Sequence, residues 1–161
     1  MNFQYPPDQL EAFRLTAEVV RREARHMKQT HCRLFAVEID EAWVSSLETN
    51  LDLAERLEAF VSRFGRLQDT LGEKLLPRMM VLAGSRTLAM IEMLVSAEKL
   101  GWIESVDQWI EWRKLRNRLV HEYMRDQSEF VLAVRDADKA AIGLLNAEML
   151  IRSHAARLSF L

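Results

Sequence analysis

With 161 residues, 49% of them hydrophobic and 29% charged, the chain has the composition of one folded domain and is neither disordered nor fibrous. Five glycines and three prolines are too few for a turn-rich all-β chain, and the single cysteine, Cys32, excludes an intrachain disulfide and favours a reducing, cytoplasmic setting. A net charge of −2 argues against general affinity for nucleic acid, so any such contact has to come from a local basic patch.

The opening segment Met1–Pro7 lacks the basic and apolar regions of a signal peptide. No apolar run approaches the roughly 18–20 residues that a membrane span needs. Leu10, Phe13, Ala17, Val20, Ala24 and Met27 then recur at alternating steps of three and four, which is one apolar stripe on a helix. Asp8 with Glu11 reads as its capping box, behind two prolines that set its start. His31 to Ile39 is either a connector or an extension of that helix. Asp40 suits the cap of a short helix holding Trp43 and Leu47.

A second stripe, Leu53, Leu57, Phe60, Phe64, Leu67 and Leu71, predicts a long helix that Gly72 interrupts and Pro77 limits. Ser85 to Leu100 predicts a further helix with Leu88, Ile91 and Val95 on its inner face, stopped by Lys99-Leu100-Gly101. Ser105 with Gln108 is another capping box. It opens a helix over about 105–124 that carries Trp109, Trp112, Leu115, Leu119 and Tyr123. The last helix is expected from Ser128 to His154, with Val134, Ala137, Ala141, Leu144, Leu145 and Ile151 inward. No convincing strand and no internal repeat appear. The expected fold is all-α, an up-and-down bundle of four to five helices forming a single domain over 1–161.

The segment with chemistry in it is Trp112 to Arg125. Arg113, Lys114, Arg116, Arg118 and Arg125 are its cations, and Glu122 is its only acid. Such a cluster attracts phosphate locally even in a weakly acidic protein. Arg113, Asn117 and His121 step by four and share one stripe of a helix. Arg116 and His121 are five apart, roughly 140° around a straight helix, so they meet only by side-chain reach or through a second copy. The residue types suit cleavage of an RNA phosphodiester without metal. An imidazole can exchange protons near neutral pH. A guanidinium can grip a phosphate with two hydrogen bonds and stabilise charge added in the transition state. The RNA 2′-OH supplies the nucleophile. On residue type alone, an Arg-rich helix is more often a solvated face with ion pairs.

Arg116-Asn117-x-x-x-His121-Glu122-Tyr123 resembles the Arg-x4-His-x-Tyr motif of the HEPN superfamily, and within it the HepT-like ribonuclease toxins. Phe64 to Pro77 and Glu98 to Ile103 are similar to that branch too, so the resemblance covers roughly residues 50–150. It implies a helical bundle that forms a homodimer and places two motif copies across a shared cleft. It implies a metal-independent endoribonuclease with Arg116 and His121 as the catalytic pair. Asn117, Arg113, Arg118 and Tyr123 would support them or bind RNA phosphates. It further implies a minimal nucleotidyltransferase antitoxin as partner, which adenylylates Tyr123 and so sets phosphate beside Arg116 and blocks the cleft. The competing expectation is a non-catalytic helical subunit that positions substrate for such a nucleotidyltransferase.

Nothing else in the sequence calls for a metal or cofactor. His26, His31 and Cys32 lack the spacing of a ligand set, and no Gly-rich phosphate loop is present. Arg14, Arg21, Arg25 and Lys28 form a basic stripe on the first helix, interleaved with Glu11, Glu18 and Glu23. It reads either as a solvated face or as a surface for RNA or the antitoxin.

Overall fold

The computed structural model describes residues 5–86, 88–121 and 125–161. Among them every regular element is helical. Helix α1 (Pro7–Leu34) starts at Pro6, whose φ of −54° and ψ of 123° bring the chain in extended, and Pro7 takes the first turn, where a missing N–H costs nothing. This corrects the capping box: Asp8 lies inside the helix and makes no side-chain cap, though its charge suits the positive end of the helix dipole. The segment from His31 to Ile39 is divided: α1 extends to Leu34, and Phe35 to Ile39 is a non-helical connector to α2. Helix α2 (Glu41–Ser46) is capped as expected, with Trp43 N–H donating to Asp40 Oδ1 at 2.8 Å.

Helix α3 (Leu51–Asp69) does not break at Gly72. It runs through a π-helical segment (Thr70–Leu75) into α4 (Leu76–Leu82). Leu76 N–H bonds to Leu71 O, five residues back, so Pro77 follows a turn already widened and is accommodated rather than terminating the helix. Helix α5 (Met90–Lys99) is shorter than expected and turned the other way. Met93, Leu94 and Ala97 are buried, whereas Ile91 is 53% exposed. Apolar residues are spread over more than one stripe of this segment, with Ile91 and Val95 beside Met93, Leu94 and Ala97, so periodicity alone does not choose its inner face. Its stop holds: Gly101 has a φ of +73°, a left-handed conformation that glycine adopts freely.

Helix α6 (Val106–His121) opens with Gln108 N–H on Ser105 Oγ at 3.2 Å, and buries Trp109, Trp112, Leu115 and Leu119. Helix α7 (Gln127–Arg157) is capped by Asp126, which accepts from Ser128 and Glu129 N–H.

Paired contacts fix the topology. Arg63 donates to His26 O and to the Thr30 hydroxyl, and Arg78 to Ala12 O and the Thr16 hydroxyl, so α1 and the α3–α4 rod are antiparallel. Gly72 meets Trp109 and Gly65 meets Arg116, so that rod and α6 are antiparallel. Gly143 meets Trp112, and Arg118 pairs with Asp136, which makes α6 and α7 antiparallel. His31 pairs with Asp138, and Arg14 Nε donates to Phe160 O at 3.0 Å, closing the ring with α7 antiparallel to α1. The result is an up-and-down bundle, with α2 against α7 and α5 against α4 and α6. Phe13, Phe60, Phe64, Leu67, Leu71, Leu144 and Ile151, at 0% exposure, occupy one continuous core between the rods. None of the helices is long and apolar enough to cross a membrane, among the described residues.

Candidate nucleic-acid interface

The basic segment forms the second half of α6, between α3 and α7. Its buried stripe (Trp112, Leu115, Leu119) is apolar and fixes the rotation of the helix, so the cations emerge at the flanks. Arg113, Lys114, Asn117 and His121 are exposed, and Arg116 and Arg118 are partly buried. Lys114 pairs with Glu111 at 2.8 Å across one turn. Arg118 reaches Asp136 on α7 at 3.5 Å. Tyr123, with Glu122 and Met124, lies outside the described residues, and Arg125 sits exposed in the turn before α7.

Arg116 is the most constrained of the set. Its Nη1 donates to both oxygens of Asp69, at 2.7 and 2.8 Å, and its guanidinium passes close to Gly65. A methyl group at position 65 would come within 2.5 Å of Nε, so the close passage requires glycine. Gly65 and Asp69 are one turn apart on α3 and together form a seat for the arginine. The Arg116 side chain remains 38% exposed, so one edge stays open to a ligand. The sequence singled out Arg116, and it placed Gly65 and Asp69 within the family-like stretch Phe64 to Pro77 without giving either a role. The available signal was a mid-helix glycine four residues before an acid, which is too common to point anywhere by itself.

Beside Arg116, α3 and α6 leave a cleft of about 380 Å³ whose walls are Leu57, Val61, Leu119 and Val120, with Glu58 and Arg116 at its rim. Val120 is 58% exposed there. α6 is α-helical throughout 106–121, so Arg116 and His121 keep their roughly 140° offset, and the Arg116 side chain is drawn to Asp69 on α3. Elsewhere His31 is engaged by Asp138 at 2.7 Å and stacks near Phe35, as a packed side chain rather than a ligand. Among the described residues no cluster of three or more His, Cys, Asp or Glu could hold a metal ion.

Fold and site together define a class: an all-helical bundle that presents a cationic helix end beside an open apolar cleft. Comparison with protein-family models, curated proteins and solved structures returned no match.

Proposed function

We propose that this protein is a metal-independent endoribonuclease of the HEPN type, acting as the toxin of a pair with a nucleotidyltransferase antitoxin. The observation that carries the reading is the second half of α6, where Arg116 is held with one edge open and His121 is exposed five residues on. In the proposed reaction the RNA 2′-oxygen attacks phosphorus and the P–O5′ bond breaks. The products are a 2′,3′-cyclic phosphate and a 5′-hydroxyl. His121 transfers the proton, and Arg116 stabilises the charge on the phosphoryl oxygens. Arg113 and Asn117, on the His121 stripe, hold flanking phosphates or the imidazole, and Arg118 adds positive potential. The helical offset favours a homodimer, in which each copy completes the other's site and covers the apolar cleft by Val120. Adenylylation of Tyr123 is the proposed route of inhibition.

The Asp69–Arg116 pair, in which Nη1 donates to both carboxylate oxygens, favours a second reading, a non-catalytic subunit in which Arg116 only ties α6 to α3. Incubation of labelled RNA with the unmodified protein in EDTA separates the two. Wild type is expected to leave cyclic phosphate ends, and Arg116→Ala and His121→Ala to cleave at least about a hundredfold more slowly with unchanged circular dichroism. Equal cleavage by His121→Ala, or none by wild type of confirmed unmodified mass, selects the second reading.

A further inference from the structure

The basic stripe of α1 faces a second groove, about 570 Å³, on the α1–α7 edge of the ring, across the bundle from the Arg116 cleft. Arg21, Arg25 and Lys28 line one wall, at positions that follow the buried stripe Val20, Ala24 and Met27 around the helix. From α7 come Ile142, Leu145, Met149 and Arg152, which share one helical stripe. Ile142 is 49% exposed and Met149 is 56% exposed, so an apolar floor is left open between cationic walls. The two helices are pinned on either side of the groove by His31–Asp138 and by Arg14 on Phe160 O. Glu148, buried beneath it, anchors Arg152 at 3.7 Å. Arg25 and Lys28 form no ion pair with any described residue. Four cations over a single carboxylate leave this groove positive in a chain of net charge −2.

We propose that the α1–α7 groove is a binding site for an organic diphosphate, its head on Arg25, Lys28 and the flanking Arg21 and Arg152, its apolar body on Ile142, Leu145 and Met149. The cations of α1 extend over two turns, roughly 10 Å, which matches a multiply charged head better than one carboxylate. Guanidinium forks suit phosphate oxygens. The volume is that of a compact ligand, within the roughly 300–1,000 Å³ of small-molecule sites. A surface that only tracks a nucleic-acid backbone needs no apolar floor.

Cys32, exposed on the groove and the chain's single cysteine, is a local reporter. Its alkylation by iodoacetamide would be timed with the full chain in the presence of inorganic pyrophosphate, adenosine diphosphate or geranyl diphosphate. These share a head and differ in body, so the arms distinguish a flat from an aliphatic occupant. At least one body-bearing diphosphate is expected to protect Cys32 at a concentration about tenfold or more below that of pyrophosphate. R25E/K28E should weaken that protection about tenfold or more, and R25Q should weaken it less, both with unchanged circular dichroism. Met149→Asp should erase the advantage over pyrophosphate. Arg116→Ala and His121→Ala should leave protection untouched, which separates this site from the proposed ribonuclease centre. Equal protection by all three compounds, or none, overturns the proposal. So does a short RNA that protects Cys32 through Arg25 and Lys28 and displaces both organic diphosphates.

Discussion

Arg116 is held on two sides, by the Asp69 carboxylate at its tip and by the Gly65 backbone along its guanidinium. The pair is about two-fifths exposed, so its contribution to stability is small, below about 1 kcal/mol. Its larger effect is positional: it confines a long side chain to one direction, off the cleft wall. Gly65→Ala tests this without removing any polar group. The added methyl would meet Nε at 2.5 Å, and a flexible arginine yields more readily than a helix backbone. The expected outcome is a thermal midpoint close to wild type with RNA cleavage reduced to the level of Arg116→Ala. Cleavage unchanged in Gly65→Ala would show that the seat does not direct Arg116 to its task. Arg116 and His121 stand out in the sequence through the resemblance of their motif, not through spacing, which sets them roughly 140° apart on one helix. The seat was not legible, because Asp69 is 47 residues away from Arg116 and no local pattern records which helix packs on which.

Helix α6 reaches its place because glycines on both neighbours let it approach. Trp109 lies over Gly72, and Trp112 over Gly143. At Gly143 a methyl group would fall 2.4 Å from Trp112 Cζ2, and the indole, 8% exposed, has nowhere to move. Gly143→Ala is therefore expected to cost about 1–3 kcal/mol of stability by overpacking, read as a lowered denaturation midpoint in urea. Trp112→Phe in the same chain should recover part of that loss, since the smaller ring vacates the clash. Additive losses in the double variant would place the strain elsewhere.

The same scale shows what periodicity conveys. The stripes of α1, α3, α6 and α7 stood out in the sequence because each has one apolar face against a polar one. The inner face of α5 did not, since Ile91 and Val95 compete with Met93, Leu94 and Ala97 for the inward stripe. The break expected at Gly72 failed for a different reason. A residue read as a helix breaker serves here as a contact surface for Trp109, and the π turn that admits Pro77 has no signature in residue type.

At the scale of the molecule, the antiparallel ring carries clefts on opposite edges. The α3–α6 edge carries the arginine–histidine segment, and the α1–α7 edge carries the basic groove. The fold class followed from composition and stripe length. The closing of α7 onto α1 did not, because it rests on His31–Asp138 and Arg14–Phe160, pairs 107 and 146 residues apart. Separation of the two edges is why variants of one are expected to leave the other intact.

The bundle also buries two carboxyls, and these set its response to pH. Burial raises the Glu148 carboxyl above its ordinary 4.5, with Arg152 and Arg21 pulling it back. Burial raises Glu23 likewise, against Thr70, Arg66 and Lys74, and Glu23 Oε2 has no hydrogen-bond partner among the described residues. In both cases the folded chain binds protons at a higher pH than the unfolded chain does. Each therefore subtracts from stability wherever it is ionised, and that cost is relieved as pH falls through the raised value toward 4.5. Asp126 acts oppositely: the Ser128 side chain and the Glu129 backbone N–H hold it below 3.8, so its contribution is lost only in stronger acid. Thermal midpoints should accordingly rise as pH is lowered through the raised values of Glu148 and Glu23 toward 4.5, then fall once Asp126 protonates. Glu148→Gln should flatten the rise and be at least as stable as wild type at pH 7, because half-exposed Arg152 can return to water. A Glu148→Gln chain that is less stable at pH 7 and keeps the full rise would mean that the Arg152 pair outweighs the burial of the carboxylate.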